Sequence, residues 1–270
     1  MFKITRNSLV IIFALLILIP LLFVVMTTLK KSDSFYVNPT GWPKSPSLSN
    51  YFSIILQENL QLNFMNSVIV TVATVFLGLL CASMISYAII RITGWKSGFL
   101  YSFFILGMML PAQVNMIPLY GVMDYLKLTN SLPGLVLVTT TLVLPVAVFI
   151  IGGFMKSLSH EMIESSAIDG ASEWIIYQKI ALPLSLPALA TSAIFAAVIS
   201  WNDLLYPLLF VNNNSLKTLP LALLDFRGEY LTNYPMLFSG VLLASIPICI
   251  FYVFFQRYFV AGMTAGATKG

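Results

Sequence analysis

Residues Asn59–Ile90 read NLQLNFMNSVIVTVATVFLGLLCASMISYAII, a run of 32 residues that contains no charged side chain. A helix needs about 20 apolar residues to cross the hydrocarbon core of a bilayer, whereas a transmembrane strand needs only about 9–11 residues of alternating apolarity. This run is longer than a strand and does not alternate. Because a helix also pairs its own backbone N–H and C=O groups in lipid, the run predicts a transmembrane helix.

The rest of the chain contains five more charge-free runs of sufficient length. They are Asn7–Leu29, Ser97–Met123, Leu128–Met155, Ile180–Asn202 and Tyr230–Gln256. Only 9% of the 270 residues are charged, whereas soluble domains carry about 25% charged residues. We therefore predict an all-α membrane protein with six transmembrane helices. Some of the prolines in these runs either kink the helices or are merely tolerated, among them Pro111, Pro145, Pro187 and Pro247.

The charges outside the spans predict the orientation. The first span is expected to be uncleaved, because Lys30-Lys31 follow it rather than a cleavage site of small residues. An even number of spans places both termini on one side of the membrane. That side carries eight basic residues and the other carries six, so the positive-inside rule favours cytoplasmic termini. We expect a multi-pass protein of the cytoplasmic (inner) membrane.

The hydrophilic segment between spans four and five, Lys156–Pro183, predicts a helix, a turn and a second helix. Asp169-Gly170 marks the turn, because glycine accepts the backbone conformations that reverse a chain. Ser159 and Ser172 are candidate N-caps of the two helices, and Pro183 is expected to end the second. An apolar stripe on the first helix can enter the groove of a partner or lie on lipid headgroups. The stripe consists of Met162, Ile163, Ala167 and Ile168.

This segment resembles the EAA loop of the membrane subunits of binding-protein-dependent ABC importers. The family pattern is Glu-Ala-Ala, three residues, Gly, nine residues and Ile-x-Leu-Pro. The chain has Glu164-Ser165-Ser166, then Gly170, then Ile180-Ala181-Leu182-Pro183 at the same spacing. Two departures are the serines in place of Ala-Ala and Ser159-His160 where the family often has a proline.

The resemblance implies a type I ABC importer transmembrane domain, in which this loop is the coupling helix that docks into a cleft of the ATPase subunit. The implied coupling residues are Glu161, Glu164, Ser165, Ser166, Ala167, Asp169, Gly170 and Ala171.

The end of the chain, Gln256–Gly270, is similar to the C-terminus of the MalG-like branch of this family, the carbohydrate permeases. The resemblance implies that the tail reaches the interface between two ATPase subunits, whereas a frayed terminus is the physical alternative. The tail residues concerned are Gly262, Thr264, Ala265, Gly266 and Lys269.

Two stretches on the outer side are also similar to the MalG-like branch. Trp201–Pro207 contains Asp203, which is either a functional ionisable group at membrane depth or a residue that caps the loop. In the stretch Asp225–Tyr234, the resemblance implies contact with a solute-binding protein, and an aromatic membrane belt is the alternative. The implied contact residues are Arg227, Gly228, Glu229, Tyr230 and Asn233.

These resemblances divide the chain into three parts. Residues 1–63 form the first span and an outer segment, residues 64–260 form the core domain with the EAA loop at 156–183, and residues 261–270 form a cytoplasmic tail. The implied function is that of a pore-forming permease that moves a sugar or oligosaccharide. A secondary (ion-coupled) transporter and an ABC permease for a non-sugar solute are the alternatives.

The implied subunit is not an enzyme. The chain contains no Gly-x-x-x-x-Gly-Lys-Ser/Thr loop, so ATP and Mg²⁺ are expected on a separate ATPase subunit, with no cofactor and no metal in this chain. The only histidine is His160, and no His-Glu-x-x-His motif supports a membrane metalloprotease. The expected partners are a second homologous permease, an ATPase dimer, a solute-binding protein, the sugar and membrane lipid, with no nucleic acid.

Overall fold

The computed structural model describes residues 2–56, 58–158, 160–227 and 232–267. Within them the regular structure is helical, apart from an isolated β-bridge between Arg227 and Thr232. The helices are α1 (Phe2–Thr28), α2 (Ser32–Val37), α3 (Ser49–Leu56), α4 (Glu58–Arg91), α5 (Trp95–Met109), α6 (Met116–Tyr125), α7 (Leu132–Met155), α8 (His160–Ile168), α9 (Glu173–Ile176), α10 (Leu182–Leu184), α11 (Leu186–Trp201), α12 (Leu205–Phe210), α13 (Leu219–Leu223) and α14 (Tyr234–Ala267).

Four helices among the described residues are long and apolar enough to cross a membrane: α1, α4, α7 and α14. Two further spans are bent pairs, so the total reaches six when each pair counts as one span. The predicted six-span fold is confirmed, and spans three and five are sharply bent.

Span three is broken at a proline. α5 ends at Met109, Leu110 and Pro111 are extended, and a short 3₁₀ turn leads into α6 at an angle of 97°. The ring of a proline disfavours helical backbone at the residue before it. Pro111 therefore breaks its span, whereas Pro145 and Pro247 lie inside the long helices α7 and α14.

Span five is broken at Ser185, and the prediction that Pro183 ends a helix is wrong. After α9 the chain makes a π-helical turn over Tyr177–Ala181 and continues through α10, which contains Pro183. Proline lacks an N–H, so the regular bond to the carbonyl four residues earlier is lost. One residue earlier, the N–H of Leu182 bonds to the carbonyl of Tyr177, five residues back, which widens the turn. The 74° bend follows, between α10 and α11.

The chain forms two compact units, and the larger comprises residues 65–218 and 247–270. Helix α7 lies at its centre, packed against α5 and α11, and half of its most apolar stretch is buried. The N-terminus of α7 is fixed by Ser131, whose hydroxyl accepts a hydrogen bond from the N–H of Gly134 at 3.1 Å. A side chain at Gly134 would collide with the carbonyl oxygen of Leu128, so only glycine fits there.

The smaller unit comprises residues 1–64 and 219–246. Residues 6–22 of α1 are exposed, whereas Thr27 and Thr28 at the end of the helix are buried. There the amide of Asn50 donates to the carbonyls of Thr28 and Lys30, at 2.8 Å each. The ammonium of Lys30 donates to the carbonyls of Asn38 and Pro39, and its burial lowers the pKa of Lys30.

Candidate functional site

The segment between spans four and five stands on a buried apolar base. Ile163 of α8 and Ile176 of α9 are almost fully buried, and both belong to one cluster with Ile151 and Met155 of α7 and Tyr87 of α4. The predicted stripe on α8 is therefore divided. Ile163 packs inside the chain, whereas Ala167 and Ile168 are exposed.

The turn after α8 has the hydrogen bonds of a Schellman motif. The N–H of Gly170 bonds to the carbonyl of Ala167, and the N–H of Ala171 bonds to that of Ser166, at 3.1 Å each. Gly170 adopts a positive φ of 84°, which a residue with a side chain accepts only at a cost. A Cβ atom built at Gly170 would meet nothing within 4 Å in this chain. The predicted break at Asp169-Gly170 is confirmed, and its cause is backbone conformation.

The exposed tip of the segment combines apolar and acidic groups. Ile168 is 86% exposed, and Trp174 and Ile175 beyond the turn are about half exposed. Sequence reasoning did not assign Trp174 and Ile175, although large apolar side chains in a hydrophilic loop are a usable signal. Five of the eight predicted coupling residues are exposed, on α8 or in the turn after it: Glu164, Ser165, Ala167, Asp169 and Gly170.

The other predicted coupling residues are partly buried or have a side chain that the structure does not describe. Ser166 and Ala171 are partly buried, and Ala171 packs against the apolar base. Glu161 lies on α8, and the structure does not describe its side chain. Ser159, the predicted cap of α8, lies outside the described residues. The cap predicted at Ser172 is confirmed, because its hydroxyl accepts from the N–H of Ile175.

Charged side chains join this segment to neighbouring spans. The ammonium of Lys156 lies 3.4 Å from the centroid of the Tyr101 ring, and partial burial lowers the pKa of Lys156. Beyond the turn, the Glu173 carboxylate is paired with Arg91 at the end of α4. Sequence reasoning did not find Arg91 as the partner of Glu173.

Asp203 caps α12 beyond the end of span five. Its Oδ1 accepts hydrogen bonds from the N–H groups of Leu205 at 3.0 Å and Tyr206 at 3.3 Å. Its Oδ2 is buried without a hydrogen-bond partner in the described parts of the chain. Burial raises the pKa of Asp203 to about 6. Of the two alternatives for this residue, the capping role has direct structural support.

The outer stretch predicted to contact a binding protein is described only at its two ends. Arg227 is exposed and forms the β-bridge with Thr232. Asn233 Oδ1 accepts from the N–H of Met236 at 3.2 Å, so this side chain caps the start of α14. Gly228, Glu229 and Tyr230 lie outside the described residues.

The predicted tail continues the last span as a helix. α14 extends to Ala267, so Gly262, Thr264, Ala265 and Gly266 have helical backbone, and the structure does not describe their side chains. Lys269 lies outside the described residues.

The described residues contain no group of three His, Cys, Asp or Glu side chains that would hold a metal ion. They include a pocket of about 480 Å³ in the smaller unit with a partly polar lining, formed by Lys30, Asp33, Ser34, Val37, Asn38, Trp42, Pro43, Lys44 and Ser45. In the larger unit, a groove of about 460 Å³ has an almost wholly apolar lining, which suits lipid-like or protein contacts better than a sugar's hydroxyl groups. Its wall is formed by Val68, Thr71, Val72, Val75, Phe76 and Leu79 of α4, Ala193, Ala197 and Trp201 of α11, and Pro247, Ile248, Phe251 and Phe255 of α14.

A known protein family matches most of the larger compact unit. The sequence profile described as "binding-protein-dependent transport system inner membrane component" matches residues 74–265. The chain belongs to this family. The match includes the segment between spans four and five, the loop capped by Asp203 and the helical tail as far as residue 265, and it identifies the chain as a multi-pass membrane permease. It supports the importer and not the ion-coupled transporter.

Relatives match the permease along nearly its whole length. It is 35% identical over 259 residues to the multiple sugar-binding transport system permease protein MsmG of Streptococcus mutans, covering 94% of this chain and 93% of the relative. It is 33% identical over 261 residues to the arabinooligosaccharides transport system permease protein AraQ of Halalkalibacterium halodurans, covering 95% and 93%.

A solved structure confirms the type I ABC importer fold. The permease matches a chain in the crystal structure of a bacterial ABC transporter involved in the import of the acidic polysaccharide alginate. The TM-score is 0.75 at 22% identity, and the match covers 96% of each chain.

Proposed function

We propose that this permease is a pore-forming subunit of an ATP-binding-cassette importer that moves a sugar or an oligosaccharide into the cytoplasm. A solute-binding protein delivers the sugar, and a second, homologous permease completes the pore. The relatives named for multiple sugars and for arabinooligosaccharides support this substrate class. The alternative of a non-sugar solute has no comparable support.

The observation that carries the proposal is the geometry of the segment between spans four and five. Its base is buried against spans two and four, and its tip exposes Ile168 beside a tight glycine turn. A short helix with this apolar tip suits a groove on a partner protein. The partner is a dimer of ATPase subunits, which binds ATP and Mg²⁺, so this chain has no catalytic role and needs no cofactor.

Orientation follows from this assignment. The coupling segment must face the cytoplasm, where the ATPase and its nucleotide are, and an even number of spans then places both termini on the cytoplasmic side. The tail residues 262–269 contact the ATPase dimer, and the loop between Arg227 and Asn233 contacts the binding protein.

The test is purification and reconstitution of the complex. The permease is co-expressed with a candidate ATPase and a candidate second permease, purified gently, and reconstituted into liposomes that contain ATP. Uptake of radiolabelled oligosaccharides is measured with and without the binding protein. We expect co-purification of both partners and ATP-dependent uptake. Uptake that continues without a bound ATPase would refute the proposal.

A further inference from the structure

A ladder of polar contacts joins α4 to the segment that begins at α9. On α4, Ser83, Tyr87 and Arg91 are spaced four residues apart, so their side chains lie on one face of the helix. Glu173 and Tyr177 are likewise four residues apart and lie opposite that face. We call these five residues the α4 ladder.

The contacts of the ladder are directional. The Tyr87 hydroxyl donates to Glu173 Oε2 at 2.6 Å. Arg91 Nε donates to the same oxygen at 2.9 Å, and the guanidinium also reaches Oε1, so arginine binds both carboxylate oxygens. A two-oxygen arginine–carboxylate pair fixes relative orientation as well as distance.

Tyr177 forms the buried end of the ladder. Its hydroxyl shares a buried hydrogen bond of 2.8 Å with Ser83 Oγ, and its ring centroid lies 5.4 Å from that of Tyr87. Two turns of α4 are thus held to α9 and the π-helical turn by side chains that cannot slide past one another without breaking several bonds.

A contribution to stability does not by itself explain the Glu173–Arg91 pair at the solvent-exposed end of the ladder. The side chain of Glu173 is 59% exposed and that of Arg91 is 29% exposed, and ion pairs at such exposure contribute little to stability. The apolar cluster around Ile163 and Ile176 already holds the segment in place. The ladder adds a defined register between the segment and the end of span two.

We infer that the α4 ladder transmits displacement of the coupling segment to span two, with Glu173 and Arg91 as positioning residues. This inference rests on the proposed function, because it requires an ATPase to move the segment. Displacement of α8 passes through its Schellman turn to α9, and the Glu173–Arg91 pair then moves the end of α4. Neither residue touches nucleotide or sugar.

The test uses the whole complex with single reporter cysteines, after Cys81 and Cys249 are replaced by alanine. Ile69→Cys, on the exposed side of α4, reports movement of span two through its rate of thiol labelling. Ala167→Cys, at the exposed tip of α8, reports docking through protection by the ATPase. The non-hydrolysable analogue AMP-PNP with Mg²⁺ serves as the nucleotide.

The decisive variant is Glu173→Gln, which keeps the shape of the side chain and an oxygen that accepts from Tyr87 but removes the charge that pairs with Arg91. We expect position 167 to stay protected while the effect of nucleotide on labelling at position 69 falls about tenfold, within the usual range of coupling between sites. Exchanging the charges in Arg91→Glu/Glu173→Arg re-forms an ion pair and should restore part of the effect. Lys96→Gln is the control that removes a nearby exposed positive charge.

The outcomes are separable. An unchanged nucleotide effect at position 69 in Glu173→Gln overturns the role of the ladder while the proposed function stands. Absence of protection at position 167 in the parent complex refutes docking, and the proposed function fails together with the ladder. If Glu173→Gln does not assemble, Tyr87→Phe removes only one hydroxyl from the ladder and is measured in the same way, with a smaller loss expected.

Discussion

At the scale of single residues, the segment between spans four and five depends on backbone conformation as much as on side chains. Gly170 has a positive φ, and a Cβ atom there would meet open space within this chain. Two causes can therefore make glycine necessary: the strain of the left-handed conformation, or close approach of the ATPase.

Two substitutions at this position separate these causes. Valine at φ 84° costs about 1–2 kcal/mol and opposes the Schellman turn, whereas asparagine accepts this conformation. We expect Gly170→Val to abolish ATP-dependent uptake with the subunit still in the membrane, and Gly170→Asn to retain a large part of it. Equal loss in both variants would assign the glycine to close approach, and normal uptake by Gly170→Val would refute its role in coupling.

Asp203 offers a second test at this scale, because its carboxylate both caps a helix and is half-buried. Its pKa in the folded protein is about 6, above the ordinary value of 3.8, so the folded state binds the proton more tightly. Protonation therefore stabilises the fold as pH falls from above about 6 to about 4, and the ionised group is unfavourable above that range.

Asp203→Asn keeps the cap and removes the ionisable group. We expect this variant to lose that pH dependence and to be at least as stable as the parent at neutral pH, whereas Asp203→Ala loses the cap at a cost of about 1 kcal/mol. Thermal unfolding of the purified protein in detergent, measured across this pH range, checks both expectations. The same pH dependence in Asp203→Asn as in the parent would contradict the assignment.

At the scale of elements, the sequence predicted where the helices are but not how they bend. Charge-free length identifies a span because burying charge in lipid is costly, and this rule located all six. It does not distinguish Pro111, which breaks span three, from Pro145, which lies inside α7. Whether a proline kinks, breaks or is tolerated depends on neighbouring helices that re-pair the freed backbone groups.

The side of the membrane on which α8 lies is the next point to test. In a background without Cys81 and Cys249, Ala167→Cys should react with a membrane-impermeant maleimide only after the cells are opened. Val37→Cys, on α2 and 87% exposed, is the matched control and should react in intact cells. Labelling of position 167 from outside would invert the topology and remove the basis for coupling.

At the scale of the whole molecule, the sequence predicted the family and the coupling turn better than the contacts around them. Glu164, Gly170 and Leu182-Pro183 have a spacing along the chain, so a single sequence can reveal them. Arg91 and Glu173 are 82 residues apart and meet only because α4 and α9 pack together. The sequence contains Ser83, Tyr87 and Arg91 at four-residue spacing, but this spacing does not identify Glu173 as their partner.

The loop between Arg227 and Thr232 provides a prediction about the assembled importer. Because the Asn233 side chain caps α14, a deletion in this loop has to end before residue 233 so that the helix start is kept. Replacing residues 228–231 by the two-residue turn Asn-Gly preserves the bridge between the loop ends. We expect ATP hydrolysis stimulated by the binding protein to fall to near the unstimulated rate. Full stimulation in a correctly assembled complex would exclude this loop from the contact.

Helix α1 is held near its C-terminal end by the hydrogen bonds around Thr28, while residues 6–22 are exposed. Natural selection can then act on this stretch only through its surroundings. We expect homologues to accept any apolar substitution in residues 6–22. Substitutions should become much rarer at Thr27 and Thr28, where the hydrogen bonds begin.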